Sequence, residues 1–378
     1  MRRATPNALG QDDSAPTESE RALLIGWDGQ LRTKDAGTLR WTYHVRSEQT
    51  AAMQEVFIRT GQERGSYVWL DSNNDGQIQL DEYFPEATPG EGEYARTLFP
   101  SDSLESVTSA EARMTYAYLP KSDAPVWRKV RWQTSIDLRE TSRTEKKTDL
   151  YLLRPSALQE AGQTINGRLR VAQQLGLFPL RRDRELGVRL LKSASLAELA
   201  AGSESATRLE TAILGREAVN ESLDLTLDAR WMQETADSER FFSRQYEIRR
   251  WEAQPGVLLK RGNRRAQTDL MYGSATESLT NARVRTLRVP VDVYWNRSDA
   301  SWRAGGEWSD SRISGGVPIG LQLYELTEGR GAGQSWMWHI HLDIQLTEVM
   351  TATLRYDGRQ PSSGDTIHTG RFHLMARF

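Results

Sequence analysis

The stretch Asp71-Ser-Asn-Asn-Asp-Gly-Gln-Ile-Gln-Leu-Asp-Glu82 places oxygen donors at the spacing of a calcium loop. Asp71, Asn73 and Asp75 take positions 1, 3 and 5 of the twelve-residue EF-hand loop. Gly76 supplies the sharp turn, Gln77 offers a backbone carbonyl and Ile78 the apolar anchor. Gln79 stands at position 9, and Glu82 closes the loop at position 12 as the bidentate ligand. Calcium is a hard cation that prefers such oxygens, so the spacing predicts a Ca2+ site. The flanks are not those of an EF-hand. Tyr67-Val-Trp-Leu70 reads as a strand and Pro85 follows closely, so no helix pair is expected. The same residues also fit an Asx-rich turn held by its own side-chain-to-backbone bonds.

Other chemistry is thinner. His339, His341 and Asp343 alternate along one strand and project to one side, with His373 on the matching face of the last strand. They suit a metal or general-base site, or polar lumen residues bonded to Arg355 and Arg371. Gly329, Gly331 and Gly333 lack the strand-to-helix setting of a phosphate loop. No Ser/His/Asp set stands out by spacing, and no enzymatic activity is expected. The 378 residues hold 49 basic and 51 acidic side chains, so no nucleic-acid partner is expected. With no cysteine, disulfides and thiolate metal sites are excluded.

The elements that carry these residues are strands. In Gln334–Leu346, Trp336, Trp338, Ile340, Leu342, Ile344 and Leu346 take every second place, while Ser335, Met337, His339, His341, Asp343 and Gln345 fill the gaps. Similar runs occur at Val126–Leu138, Thr164–Leu177, Ser222–Gln233 and Arg283–Asn296, and from Met350 to the terminal Phe378. About 13 strands are expected from residue 110 onward, several long enough to cross a bilayer at a tilt of roughly 45°. Only Pro155–Ala161 suggests a helical turn. Asn296–Ala300 and Thr347–Glu348 are short connections, whereas Ser311–Gly333 is long and Gly-rich. Short turns therefore collect at the end where the chain terminates, the expected periplasmic side.

This pattern predicts an all-β fold: an antiparallel transmembrane β-barrel of about 12–14 strands, possibly incomplete, preceded by a small β region. Residues 1–20 read as a disordered lead-in, 21–109 as the small β region with the calcium loop, and 110–378 as barrel. An odd count requires a further strand, from residues before 110, from a missing N-terminal segment or from a partner subunit. Trp132, Trp231, Trp295, Trp302, Trp336 and Tyr356 near the stripe ends favour a membrane setting. A soluble calcium-stabilised β-domain that binds a ligand or partner is the alternative. Met1-Arg-Arg leads into no apolar segment, so the export signal that an outer-membrane protein needs is expected in a part not seen here.

Several motifs resemble the large, mostly uncharacterised outer-membrane β-barrel proteins of Bacteroidetes and related bacteria. They are Tyr-Glu-Leu-Thr-Glu-Gly-Arg (324–330), Ser-Trp-Met-Trp (335–338), Tyr-Asp-Gly-Arg (356–359), Ile-His-Thr-Gly-Arg (367–371) and Gly-Ser-Tyr-Val-Trp-Leu-Asp-Ser-Asn-Asn-Asp-Gly (65–76). The resemblance covers roughly residues 50–378. It implies the outer membrane, a lipid-facing barrel and a structural or transport role, without a known substrate. Terminal Phe378, with Leu374 and Phe372 in phase, resembles the signal read by outer-membrane insertion machinery. Family members are longer and carry signal peptides, which implies that this chain is the barrel portion.

Overall fold

A computed structural model describes residues 23–376, apart from 34–36, 62–63, 72, 87–90, 120–129, 145–146, 178–182, 200–201, 319–320 and 363–364. The expected lead-in 1–20 and Phe378 lie outside the described residues. The strands are β1 (Leu24–Arg32), β2 (Gly37–Arg59), β3 (Tyr67–Trp69), β4 (Tyr83–Pro85), β5 (Tyr94–Tyr118), β6 (Val130–Ser142), β7 (Thr164–Leu177), β8 (Arg184–Leu199) and β9 (Gly202–Asn220). They continue with β10 (Leu223–Ser238), β11 (Tyr246–Arg261), β12 (Arg264–Asp269), β13 (Met271–Glu277), β14 (Ala282–Asn296), β15 (Ala300–Gly315), β16 (Gly333–Thr347), β17 (Met350–Gln360) and β18 (Ile367–Ala376). Two short helices, α1 (Lys147–Tyr151) and α2 (Leu321–Thr327), interrupt them.

The wall is an antiparallel meander in which each stave pairs with the next, from β1 and β2 through β5 to β18. β3 and β4 form a hairpin of their own. β12 and β13 share one stave between β11 and β14. Among the described residues, eighteen strands, less the two of the hairpin and with β12 and β13 counted once, give fifteen staves. Thirteen of these run from β5 onward, as the alternation predicts; β1 and β2 add two. Among the described residues no ladder joins β1 to β18, which are the two edge strands.

The two faces of the wall differ in chemistry. Leu175, Val188, Ile213, Leu227, Trp231 and Leu354 share the convex face and stay exposed, Leu227 at 43%. The concave face buries Glu210, Asp224, Arg250 and Glu252, with Asp224 at 0%. A water-soluble barrel turns its apolar face inward. The reverse arrangement here is that of a transmembrane β-barrel. Aromatic pairs stud the convex face near both ends, among them Trp295 with Trp302 and Trp308 with Trp336. Curvature draws concave side chains together across an intervening strand. His339 Nε2 on β16 lies 3.0 Å from Asp292 Oδ1 on β14. Gly305 of β15 lies between them, where a Cβ would come within 2.7 Å of both side chains.

The turns Asn220–Leu223, Arg261–Arg264, Asn296–Ala300 and Thr347–Met350 are short and share one end of the meander. The opposite end carries the segments 60–93, 143–163, 239–245 and 316–332. The boundary expected at residue 109 falls inside β5, and β1 with the first part of β2, up to the register shift after Ala51, belongs to the wall. What remains of the expected small β region is the β3–β4 hairpin. In β2 the run Ser47-Glu-Gln-Thr50 breaks the apolar alternation. There the loop carrying α1 lies on the convex face, where Leu150 packs on Val45 and Ala110, so no lipid-facing stripe is required.

Candidate metal centre at the mouth of the barrel

The β3–β4 hairpin presents the acidic loop. Three ladder pairs, Tyr67 with Pro85, Val68 with Phe84 and Trp69 with Tyr83, close its base. Asn74 and Gly76 adopt φ of 57° and 70°, the left-handed conformation that wraps the chain tightly. The Asp71 carboxylate then accepts from the Asp75 backbone N–H at 3.1 Å and from that of Gly76 at 2.8 Å. Asn73 Oδ1 accepts from Asp75 N–H at 2.9 Å, and Asp75 Oδ1 from Gln77 N–H at 2.7 Å. Gln79 Nε2 and Asn73 Nδ2 donate to Asp75 Oδ2 at 2.7 and 3.0 Å. Glu82, only 2% exposed, accepts from the Trp69 indole at 2.9 Å.

These bonds bring Asp71, Asp75 and Glu82 together, one carboxylate oxygen of each lying within 4.8 Å of the others. Asn73 and Gln79 border the same group through Asp75. Gln77 meets the group through its backbone N–H, which donates to Asp75. The donor set is all oxygen and converges from both arms of the loop, which is the chemistry that a calcium ion needs.

The loop does not stand free. β2 and β5, of 23 and 25 residues, run on past the rim as a paired extension. Their register shifts between Ala51 and Met53. Phe57 of this extension stacks on Tyr83, with centroids 4.1 Å apart. Arg244, in the one-turn helix Phe242–Arg244 between β10 and β11, donates to Glu55 of β2 and to Glu204 of β9. It also reaches the Leu80 carbonyl inside the loop. Ser243 donates to Asp81 at 2.8 Å. On the far side, Arg359 of β17 donates to Glu91 at 3.0 Å, just ahead of β5. The hairpin and its extension thus form a lid tied to staves on opposite sides of the wall.

Beneath the lid, α2 packs against β11, β13 and β14 and fills part of the mouth. Its Leu326 joins Ile248, Ala275 and Val284 in a small apolar cluster. Glu328 collects Arg250, Arg288 and Arg330. Burial alone would raise the Glu328 carboxyl, but the three guanidiniums hold it below the usual range. Glu325 is pushed up to about 7, by burial first and then by the nearby Glu234. A cavity of about 630 Å³ remains between lid and plug, lined by Leu70, Phe84, Leu323, Tyr324, Arg330 and Arg359.

The histidines have other partners than expected. His339 meets Asp292, His341 lies 3.7 Å from Asp357, and Asp343 accepts from Thr353 at 2.7 Å. The one acidic or histidine cluster of metal-holding geometry among the described residues is the lid loop. Sequence reasoning missed Arg244 and Glu328, whose partners lie far along the chain.

No family model and no curated protein matches this chain. Among solved structures, one similar chain is OmpT, in-vitro folded, an outer membrane protein of Vibrio cholerae. It is 8% identical, covers 87% of this chain and 88% of its own, and has a TM-score of 0.32.

Proposed function

We propose that this chain is a β-barrel of a bacterial outer membrane, with a structural or transport role and a mouth covered by a calcium-braced lid. The inverted wall carries this reading: charges meet inside while leucines and tryptophans stay exposed on the convex face. A soluble calcium-stabilised domain would leave that face in water, an apolar surface far larger than a soluble monomer exposes. Lipid is the partner that fits it. Phe378, with Leu374 and Phe372, remains the proposed signal for the insertion machinery. In this reading a partner subunit or further segment completes the wall between β1 and β18. Asp71, Asn73, Asp75, Gln79 and Glu82 would hold the calcium through side chains and Gln77 through its carbonyl. The ion would brace the loop that Arg244 and Ser243 tie to the rim.

The test sets two neighbours on β16 against each other. Leu342 lies on the convex stripe opposite Trp302 and Leu354; Asp343 points inward. Leu342→Arg should cost about 2–4 kcal/mol of stability in liposomes. Asp343→Asn should cost much less, since the asparagine oxygen can still accept the exposed bond that Thr353 donates. Equal tolerance at both positions would count against a lipid-facing wall.

A further inference from the structure

The inner wall is not electrically uniform. On β9 to β16 most inward arginines are neutralised, although among the described residues Arg265 of β12 meets no carboxylate at ion-pair distance and lies opposite Lys260. Arg208 lies 2.7 Å from Glu210 and 2.9 Å from Glu234, and Arg216 lies 2.7 Å from Asp224. Arg230 lies 2.6 Å from Glu252, and Arg303 lies 2.9 Å from Asp292. β5, β6 and β7 differ. Their concave face carries Arg113, Arg139, Arg168 and Arg170 around a recess of about 410 Å³, with Thr115 and Ser135 as further donors. Asp137 pairs with Arg113 at 2.8 Å. Among the described residues, Arg139, Arg168 and Arg170 meet no carboxylate at ion-pair distance. The ladders set Arg139 between Glu111 on β5 and Arg168 on β7, and Arg170 opposite Asp137, so the one like-charge pair is Arg139 with Arg168. Like charges so placed destabilise a sheet. Water relieves that repulsion in part; an anion between the two forks would relieve it more.

We propose that this patch binds oxyanion groups and makes the lumen prefer anions to cations. The proposal rests on the transport reading and names the class of its cargo. Guanidinium forks present paired N–H donors that match phosphate, sulfate and carboxylate oxygens. A recess with four arginines and one aspartate carries net positive charge, which raises the local concentration of anions. The patch lies between the short-turn end and the region where the α1 loop covers the outer face, beside any path along β5–β7. The lid meets the wall at Leu199 of β8, β9, the β10–β11 connection and β17, and none of the residues lining the recess belongs to it.

The experiment is conductance of the full chain in a planar lipid bilayer across a potassium chloride gradient, wild type beside Arg139→Gln/Arg168→Gln. The wild type should show a reversal potential on the chloride side, and added inorganic phosphate should reduce the chloride current. In the double variant the displacement should fall to roughly half or less, and phosphate should lose its effect. The variant removes a repulsion, so its strand content and urea midpoint should match or exceed the wild type's. Conductance with cation preference, or with anion preference that the variant leaves unchanged, would overturn the oxyanion patch while leaving the transport reading standing. Absence of any conductance would overturn both.

Discussion

Glu82 concentrates the chemistry of the lid. Its carboxylate is buried beside Trp69 and closes a loop that Asp71 and Asp75 open. Calcium affinity should be modest, with Kd about 10⁻⁴–10⁻³ M, as for extracellular modules. Glu82→Gln removes the bidentate anion and should weaken binding at least about tenfold. Calorimetry on the full chain in detergent micelles reads this; calcium heat that is absent in the wild type, or identical in both, would reduce the loop to a turn. The ligand types and spacing were legible in the sequence because they are local. The bond from Trp69 was not, because it depends on how the hairpin closes. Glu325 gives a second prediction. Its ordinary value is 4.5 and its folded value about 7, so the folded chain holds the proton more tightly than the unfolded one. Stability should therefore fall as pH rises from 4.5 to about 7, by up to about 3 kcal/mol, and stay at the lower level above. Glu325→Gln should flatten that slope and be the more stable chain at pH 8. Urea midpoints between pH 5 and 8 decide it; parallel curves for the two chains would refute the role of Glu325.

Among the elements, the lid depends most on a single residue outside itself. Arg244 joins β2, β9 and the acidic loop through Glu55, Glu204 and the Leu80 carbonyl. Arg96 also neutralises Glu55, so removing Arg244 leaves that carboxylate one partner. Arg244→Ala should cost about 3 kcal/mol, confined to the lid. Hydrogen exchange should quicken at Tyr67–Tyr83 and stay unchanged in the β9–β10 ladder; uniform quickening would mean that the lid and wall are one cooperative unit. The strands themselves were largely legible. β7 spans Thr164–Leu177, the range its alternation predicts, because lipid on one side and charge on the other impose a period of two. α2 was not legible. Leu321-Gln-Leu-Tyr-Glu-Leu-Thr327 is under two helical turns, too short for Leu323 and Leu326 at i, i+3 to establish a helical period against Leu321 and Leu323 at i, i+2. Only the wall beneath it, at Ile248 and Val284, makes it helical and buried.

At the scale of the whole molecule, the sequence showed a lipid-facing meander but not its extent. The N-terminal staves were hidden where polar residues lie above the apolar band. The lid was hidden because its anchors are remote: Glu55 and Arg244 lie 189 residues apart, Glu91 and Arg359 268 apart. No local pattern encodes such pairs. The meander has one more consequence. Apart from one bridge between Met53 of β2 and Leu199 of β8, the described staves border only their chain neighbours, so duplicating or losing a hairpin changes the girth by two strands and leaves the remaining ladders intact. Descent by such copying preserves parity. From fifteen staves it leads to thirteen or seventeen, always with first and last strands pointing the same way. Reaching the even number usual in bacterial barrels takes the gain or loss of a single strand, an event of a different genetic kind from the one that builds the rest of the wall.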